Sequence, residues 1–143
     1  MNYREHYIAA HKLWFSKEYP TAWKDGFWIA PKFPKVATAN GLTQWILNFL
    51  NWNGHRATRI SSSGRQVAGK WVYGTTRKGT ADISATIKGR SVMIEVKVGK
   101  DRPSPDQLKE QAKERAAGGL YEFCRSPEEF LELYREIILT ITK

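Results

Sequence analysis

Two acidic residues and a lysine stand at regular positions in two adjacent stretches of alternating polarity. Asp82 precedes a stretch in which every second residue is apolar, and Glu95 and Lys97 occupy polar positions of the stretch that follows. Alternation with a period of two is typical of half-buried β-strands. Carboxylate oxygens suit Mg²⁺ or Mn²⁺ better than Zn²⁺. The pattern therefore predicts a divalent-metal site built on two neighbouring strands.

The connection between these strands contains a glycine, which predicts a tight hairpin with a two-residue loop at positions 88–89 or 89–90. Directly opposed residues of a hairpin share a face. Either loop therefore places Asp82, Glu95 and Lys97 on one face. The opposite face, against the core, receives the apolar residues Ile83, Ile87, Val92, Ile94 and Val96.

A cluster of two carboxylates is unfavourable by itself, because like charges repel and their desolvation costs free energy. A divalent cation between Asp82 and Glu95 offsets both terms. The alternative interpretation is a surface salt-bridge cluster with Lys97, which contributes little to stability. We expect the metal site.

Asp82 followed by Glu95-Val96-Lys97 resembles the D…(D/E)-x-K signature of the PD-(D/E)xK nuclease superfamily. Downstream, Ser104-Pro105-x-Gln107 and Ala117-Gly118-Gly119 before a short strand resemble its VRR-NUC and Holliday-junction-resolvase-like branch. The resemblance covers roughly residues 38–133. It implies an α/β fold: a single-domain, restriction-endonuclease-like αβββαβ core with a mixed central sheet flanked by helices.

The resemblance also implies a function, a Mg²⁺- or Mn²⁺-dependent endonuclease that hydrolyses phosphodiester bonds in nucleic acid. DNA is favoured over RNA, and branched or structured DNA is among the candidate substrates. By this resemblance Asp82, Glu95 and the backbone carbonyl of Val96 bind the metal, and Lys97 orients the attacking water or stabilises the transition state. Gln107 contacts substrate or the lysine. Related enzymes often act as dimers, so a homodimer is a further expectation.

One departure from the family pattern concerns the first core helix, which usually contributes a further acidic residue. Here Asn40, Thr43 or Gln44 would have to replace it. This absence keeps open an alternative function, a catalytically degenerate nuclease-fold module that binds nucleic acid without cutting it. A protein-interaction role for the aromatic N-terminal segment is a third possibility.

The net charge of +9 is unevenly distributed. Residues 1–80 hold 12 lysines and arginines against 3 acidic residues, whereas residues 81–143 hold 11 of each. Between Asp25 and Asp82 the chain has no acidic residue at all. Such a basic segment is typical of proteins that bind nucleic acid. The candidate contacts are Arg59, Arg65, Arg77, Lys78, Lys100 and Arg102.

The elements that must position these residues follow from periodicity and capping signals. Residues 1–37 are rich in aromatic and basic residues and predict an arm that packs on the core, with a short helix over Tyr3–Phe15, although its rings could also stack on unpaired bases. Residues 38–143 form the predicted nuclease-like domain. Its first predicted element is a helix that begins at Thr38 or Asn40 and ends at Asn53-Gly54. The others are strands at His55–Ile60 and Gln66–Tyr73, the hairpin, a helix opened by Ser104, a strand at Leu120–Cys124 and a final helix opened by Ser126-Pro127.

Gln107 has a second interpretation, because Ser104, Pro105 and Gln107 together form the pattern of a helix capping box. A capping residue needs no catalytic role. The chain has no apolar run long enough for a membrane span and no secretory signal at its N-terminus, so we expect an intracellular, cytoplasmic protein without a membrane partner. Its single cysteine, Cys124, is expected to be a core residue.

Overall fold

The computed structural model describes residues 1–60, 65–72 and 77–141, with only the backbone described at positions 65, 66, 71 and 72. Within these residues, no helix is both long and apolar enough to cross a membrane. The elements in chain order are α1 (Tyr3–Glu18), α2 (Pro20–Lys24), α3 (Ala39–Trp52), β1 (Arg56–Arg59), β2 (Arg65–Val67), β3 (Lys70–Val72), β4 (Ile83–Ile87), β5 (Arg90–Val96), α4 (Pro105–Ala116), β6 (Leu120–Cys124) and α5 (Pro127–Ile141).

The central sheet has four strands in the order β1-β4-β5-β6. The β1–β4 and β4–β5 pairs are antiparallel, and β5 and β6, which are connected through α4, are parallel. The prediction of an α/β fold with a mixed sheet flanked by helices is confirmed. Helix α3, strands β1, β4 and β5, helix α4 and strand β6 occur in this order along the chain, and the separate strands β2 and β3 lie between β1 and β4.

Helix α3 forms the centre of the core. Of the two predicted N-caps, Thr38 and Asn40, Thr38 begins the helix, because its side-chain oxygen accepts a hydrogen bond from the backbone N–H of Gly41 (3.0 Å). The apolar side of the helix packs on the sheet face that carries Ile83 and Ile94, and Phe130 of α5 completes this layer. Cys124 belongs to the same core, and burial, with the charges of Glu129 and Glu122 adding to it, raises its pKa to about 12.

The N-terminal segment shares this core. Helix α1 extends to Glu18, one turn beyond the predicted end, and the fully buried ring of Tyr7 contacts the rings of Phe33, Trp45 and Trp52. The hydroxyl of Tyr7 accepts a hydrogen bond from the Asn48 side chain (2.8 Å). Tyr7 is therefore a core residue that lies outside the predicted 38–143 boundary.

The prediction of one irregular strand over Gln66–Tyr73 is wrong for the residues that the structure describes. Strands β2 and β3 instead pair with each other as a separate two-stranded sheet. The reason is the turn between them, where Ala68 and Gly69 both have positive φ (51° and 78°), which reverses the chain. Residues 61–64 and 73–76, including the predicted serine-glycine loop, lie outside the described part of the chain.

Strand β1 is an edge strand, and a side chain of α3 covers part of its outer edge. Asn51 donates through Nδ2 to the carbonyl of Ala57 and accepts from the N–H of the same residue, both at 3.0 Å. The amide thus replaces a neighbouring strand at this position. Covering an edge in this way removes a template for pairing with another chain.

We expect Asn51→Ala to lower the free energy of unfolding by about 1–2 kcal/mol, since two hydrogen bonds are lost and Ala57 is left unpaired. The variant should also self-associate more than the wild type as concentration rises. Denaturant titration and sedimentation velocity measure the two effects.

The matched control is Asn53→Ala, which removes one side-chain hydrogen bond to the backbone of the same helix, at the carbonyl of Phe49, without uncovering the strand edge. Equal self-association of the two variants would contradict the protective role of Asn51.

Candidate active site on the central hairpin

The hairpin of β4 and β5 brings the predicted site residues onto one face. Ile87 pairs with Arg90, so the loop is 88–89, and both loop residues have positive φ (50° and 85°). This register places Ile83 opposite Ile94. Asp82, which immediately precedes β4, therefore lies opposite Glu95, as the parity argument predicts.

Asp82 and β5 are joined by two reciprocal hydrogen bonds. The backbone N–H of Asp82 donates to Glu95 Oε1 (3.1 Å), and the backbone N–H of Val96 donates to Asp82 Oδ2 (2.9 Å). Each carboxylate is thus held by a backbone donor of the neighbouring strand. This fixes both side chains at the point where the two strands separate.

Lys97 is buried beside these carboxylates, with 7% of its surface exposed, and Glu95 is 5% exposed. Lys97 Nζ lies 3.4 Å from Glu95 Oε2 and 3.5 Å from Asp101 Oδ2. The sequence analysis did not identify Asp101, although its position four residues after Lys97 is a usable signal. Arg125 holds the loop of Asp101 through the carbonyl of that residue (3.0 Å).

Gln107 forms the predicted capping box and also contacts a carboxylate of the site. Its Oε1 accepts from the Ser104 N–H (2.9 Å) while the Ser104 hydroxyl accepts from the Gln107 N–H (3.2 Å), which completes the capping box of α4. Its Nε2 donates to Glu95 Oε2 (2.7 Å). The side-chain contact is therefore with the glutamate rather than with Lys97.

The environment of Glu95 makes its ionisation unfavourable. Burial raises the pKa of Glu95 to about 7, the charge of Asp82 and a hydrogen bond with it act in the same direction, and Lys97 opposes them. The dominant cause is desolvation, which disfavours the charged form. A carboxyl group with a pKa near neutrality is common at functional sites.

Tyr121 of β6 is a second residue that sequence analysis missed. Its hydroxyl donates to the carbonyl of Gly79 (2.7 Å), and its parallel partner in β5 is Met93, which shares a face with Glu95. Burial and the nearby carboxylates raise the pKa of Tyr121. The tyrosine thus anchors the turn that leads into Asp82. No sequence signal pairs these positions, because the parallel register of β6 is set by the crossover through α4.

The predicted nucleic-acid contacts are distributed unevenly around this site. Arg59 lies opposite Ile83, on the core side of the sheet, and its Nη1 donates to Asn40 Oδ1. The structure therefore does not bring it to the face of Asp82. The exposed residues Arg77 and Lys78 precede Asp82 in the chain, and Lys100 and Arg102, also exposed, flank Asp101. The side chain of Arg65 lies outside the described part of the structure.

The three candidate replacements for the missing helix acid form hydrogen bonds elsewhere. Asn40 accepts from Arg59, Thr43 donates to the carbonyl of Ala39 (2.8 Å) and Gln44 donates to Asn48 (2.8 Å). Among the residues that the structure describes, no group of three or more His, Cys, Asp or Glu side chains is arranged to hold a metal.

The donor types at the site are nevertheless those that Mg²⁺ and Mn²⁺ prefer. The available groups are the carboxylates of Asp82 and Glu95 and the carbonyl of Val96, which are all hard oxygen donors. In an extended strand, the N–H and C=O of one residue point to the same neighbour, so the Val96 carbonyl is expected on the Asp82 side, where its N–H already bonds. Magnesium in nucleotide-processing sites is commonly held by only one or two carboxylates plus substrate phosphate and water.

We expect Glu95→Gln to change how stability depends on pH in metal-free protein. The folded pKa is raised, so the stabilisation is present below the unfolded pKa of about 4.3 and is lost as pH rises to about 7. Wild-type stability should fall over this window by at most about 4 kcal/mol, and the glutamine variant should lack this component.

Denaturant titrations in EDTA between pH 4.5 and 8 measure the effect. Glu122→Gln is the control. Glu122 lies in the neighbouring strand, and its Oε1 pairs with Arg115 Nη2 (2.9 Å) near the surface, outside the buried cluster of Glu95. A pH profile of Glu95→Gln that parallels the wild type would show that Glu95 ionises normally.

We expect Gly79→Ala to disrupt the site more than an equally strained substitution elsewhere. Gly79 has a φ of +83°, and a Cβ there would collide with the backbone carbonyl of Asp106 at the start of α4. Gly89→Ala is the matched control, because its φ of +85° gives the same strain in open space.

Free energies of unfolding compare the two alanine variants. The Gly79 variant should lose about 1–3 kcal/mol more than the Gly89 variant, as is typical of overpacking. Equal losses would mean that the contact between the turn and α4 does not constrain the structure.

No protein-family model, curated protein sequence or solved structure matches this chain. The functional assignment therefore depends on the resemblance carried by Asp82, Glu95-Val96-Lys97 and Gln107, and on the geometry described above.

Proposed function

We propose that the protein is a Mg²⁺- or Mn²⁺-dependent nuclease that hydrolyses phosphodiester bonds in nucleic acid, with DNA preferred over RNA. The observation that carries the proposal is the burial of Glu95 and Lys97 beside Asp82 at the end of one hairpin. A buried charged cluster contributes little net stability after its desolvation. Its retention on a sheet face is better explained by chemistry than by folding.

Asp82, Glu95 and the Val96 carbonyl are the proposed metal ligands, and the order of α3, β1, β4, β5, α4 and β6 is the order expected of a restriction-endonuclease-like core. When bound, Mg²⁺ or Mn²⁺ polarises the scissile phosphate and lowers the pKa of a coordinated water. Glu95 must be ionised to serve as a ligand, so we expect metal affinity to increase as pH rises through about 7.

Lys97 supplies the fixed positive charge of the proposed mechanism. Its ammonium group is held between Glu95 and Asp101, which restricts its rotamers before substrate arrives. A preorganised donor stabilises the negative charge that develops on the phosphoryl oxygens or orients the attacking water. Gln107 acts through Glu95, because the hydrogen bond from Gln107 Nε2 orients the Glu95 carboxylate. The capping hydrogen bonds with Ser104 fix Gln107 at the start of α4.

Arg77 and Lys78 on one side of the site and Lys100 and Arg102 on the other are the proposed phosphate contacts of the substrate. All four side chains are exposed, so they are free to meet a polyanion without a desolvation penalty inside the protein. A homodimer, with two sites for two strands, is part of this proposal.

We expect Asp82→Asn, Glu95→Gln and Lys97→Met each to lower the cleavage rate by about a hundredfold or more, since each removes a group that acts where charge develops. Cleavage is measured with Mg²⁺ and with Mn²⁺ on linear, nicked, flapped and four-way DNA and on RNA. Lys109→Met, an exposed lysine of α4, is the control for Lys97→Met and should retain wild-type activity.

Failure of the wild type to cut any of these substrates with either metal would overturn the nuclease proposal. The absence of an acidic residue in α3 favours one second candidate, a nuclease-fold module that binds nucleic acid without cutting it. Calorimetry separates the two: the module binds DNA in a salt-dependent way but takes up neither metal, whereas the nuclease binds both.

A further inference from the structure

One half of the sheet face that carries Asp82 is left uncovered within the described structure. Helix α4 lies over β5 and β6 on this face, because Ser91 bonds to Glu114 (3.1 Å) and Gln111 donates to the carbonyl of Tyr121 (2.8 Å). The other half of this face is formed by β1 and β4 and carries four polar residues. We call these residues the open face: Arg56, Thr58, Ser84 and Thr86.

The register places the open face in line with the active site. Asp82, Ser84 and Thr86 alternate along one side of the strand. Thr86 is paired with Arg56 and Ser84 with Thr58, so the second row lies directly beside the first. The row from Asp82 to Thr86 is about 14 Å long, and the two rows are about 5 Å apart.

The side chains of the open face are hydrogen-bond donors without a partner among the described residues. Arg56, Thr58 and Thr86 are exposed and Ser84 is half-buried. Within residues 1–60, 65–72 and 77–141, none of the four side chains has a hydrogen-bond or ion-pair partner. Residues 56–60 and 83–90 contain no acidic residue. Among the described residues, carboxylates lie only near the two ends of this surface, with Asp82 at one end and Glu114, bonded to Ser91 opposite Thr86, at the other.

From this arrangement we infer that the open face binds the sugar–phosphate backbone of one nucleic-acid strand and guides that strand to Asp82. The inference rests on the proposed function for its choice of ligand. Arginine and threonine or serine hydroxyls are the donors that proteins direct at phosphates. The centres of stable protein interfaces are instead apolar and aromatic, and the open face lacks such residues.

A contact with the backbone alone carries no base information, so it positions the substrate without selecting a sequence. The open face is therefore a positioning surface. Loss of its arginine or its hydroxyls should therefore weaken the binding of DNA duplexes of unrelated sequence by the same factor.

The test measures binding by fluorescence anisotropy, in EDTA, with the full chain and two labelled 30-base-pair DNA duplexes of unrelated sequence. We expect Arg56→Ala to weaken binding of both duplexes by about five- to tenfold at low salt and to reduce the slope of log affinity against log salt by about 0.9. Arg135→Ala, an exposed arginine on α5 at the other side of the sheet, should change neither quantity.

A second variant, Thr58→Val with Thr86→Val, removes hydroxyls while keeping residues that favour strands. It should weaken binding of both duplexes without changing the salt slope. The inference would be overturned if the Arg56 and Arg135 variants bound DNA with equal affinity, or if only one of the two duplexes were affected. Binding of a protein partner at this face, with nucleic-acid affinity unchanged, would also overturn it.

The binding assay contains no metal, so its result is independent of cleavage. If the wild type cuts DNA and Arg56→Ala binds as tightly as the control, the positioning role fails and the nuclease proposal stands. If the wild type cuts nothing but its duplex affinity depends on Arg56, the nuclease proposal fails and the open face still binds nucleic acid.

Discussion

The arrangement of the candidate site depends on the exchange of hydrogen bonds between Asp82 and β5, at the point where β4 begins. In a continuing antiparallel ladder, the N–H of Val96 would donate to a backbone carbonyl of the opposite strand. Here the Asp82 carboxylate accepts it, and Glu95 accepts from the backbone of Asp82. Two acidic side chains thereby end the ladder without leaving a backbone donor unpaired. The same geometry brings the two carboxylates together, so the charge of Asp82 adds to burial, the larger cause, in raising the pKa of Glu95.

The start of α4 is fixed to this strand end from two directions. Gln107 bonds to Glu95, while the turn at Gly79 approaches the backbone of Asp106 too closely for any side chain. Tyr121 holds the other side of that turn. The segment before Asp82, helix α4 and strand β6 therefore form one unit around the two carboxylates. A change in any of them displaces these carboxylates as well as the local fold.

Sequence patterns predicted the parts of this site that depend on local rules. Alternation and the glycine in the loop determine the face of Asp82 and Glu95, and capping chemistry determines the start of α4 at Ser104. Asp101 and Tyr121 were missed because their roles depend on a loop conformation and on a parallel register, which are tertiary properties. The strand predicted over Gln66–Tyr73 was wrong because two consecutive residues of positive φ, the first of them an alanine, are not signalled by alternation.

The neutral start of α3 has an electrostatic consequence for the two-carboxylate site. A third carboxylate nearby would disfavour ionisation of Glu95 further, since like charges raise the pKa of an acid. Asn40 is instead bound by Arg59 on the core side of the sheet, and neither residue adds negative charge at Asp82. With burial and one acidic neighbour opposed by Lys97, Glu95 has a pKa of about 7 and can lose its proton near neutral pH. A pair of carboxylates is thus easier to ionise than a cluster of three would be.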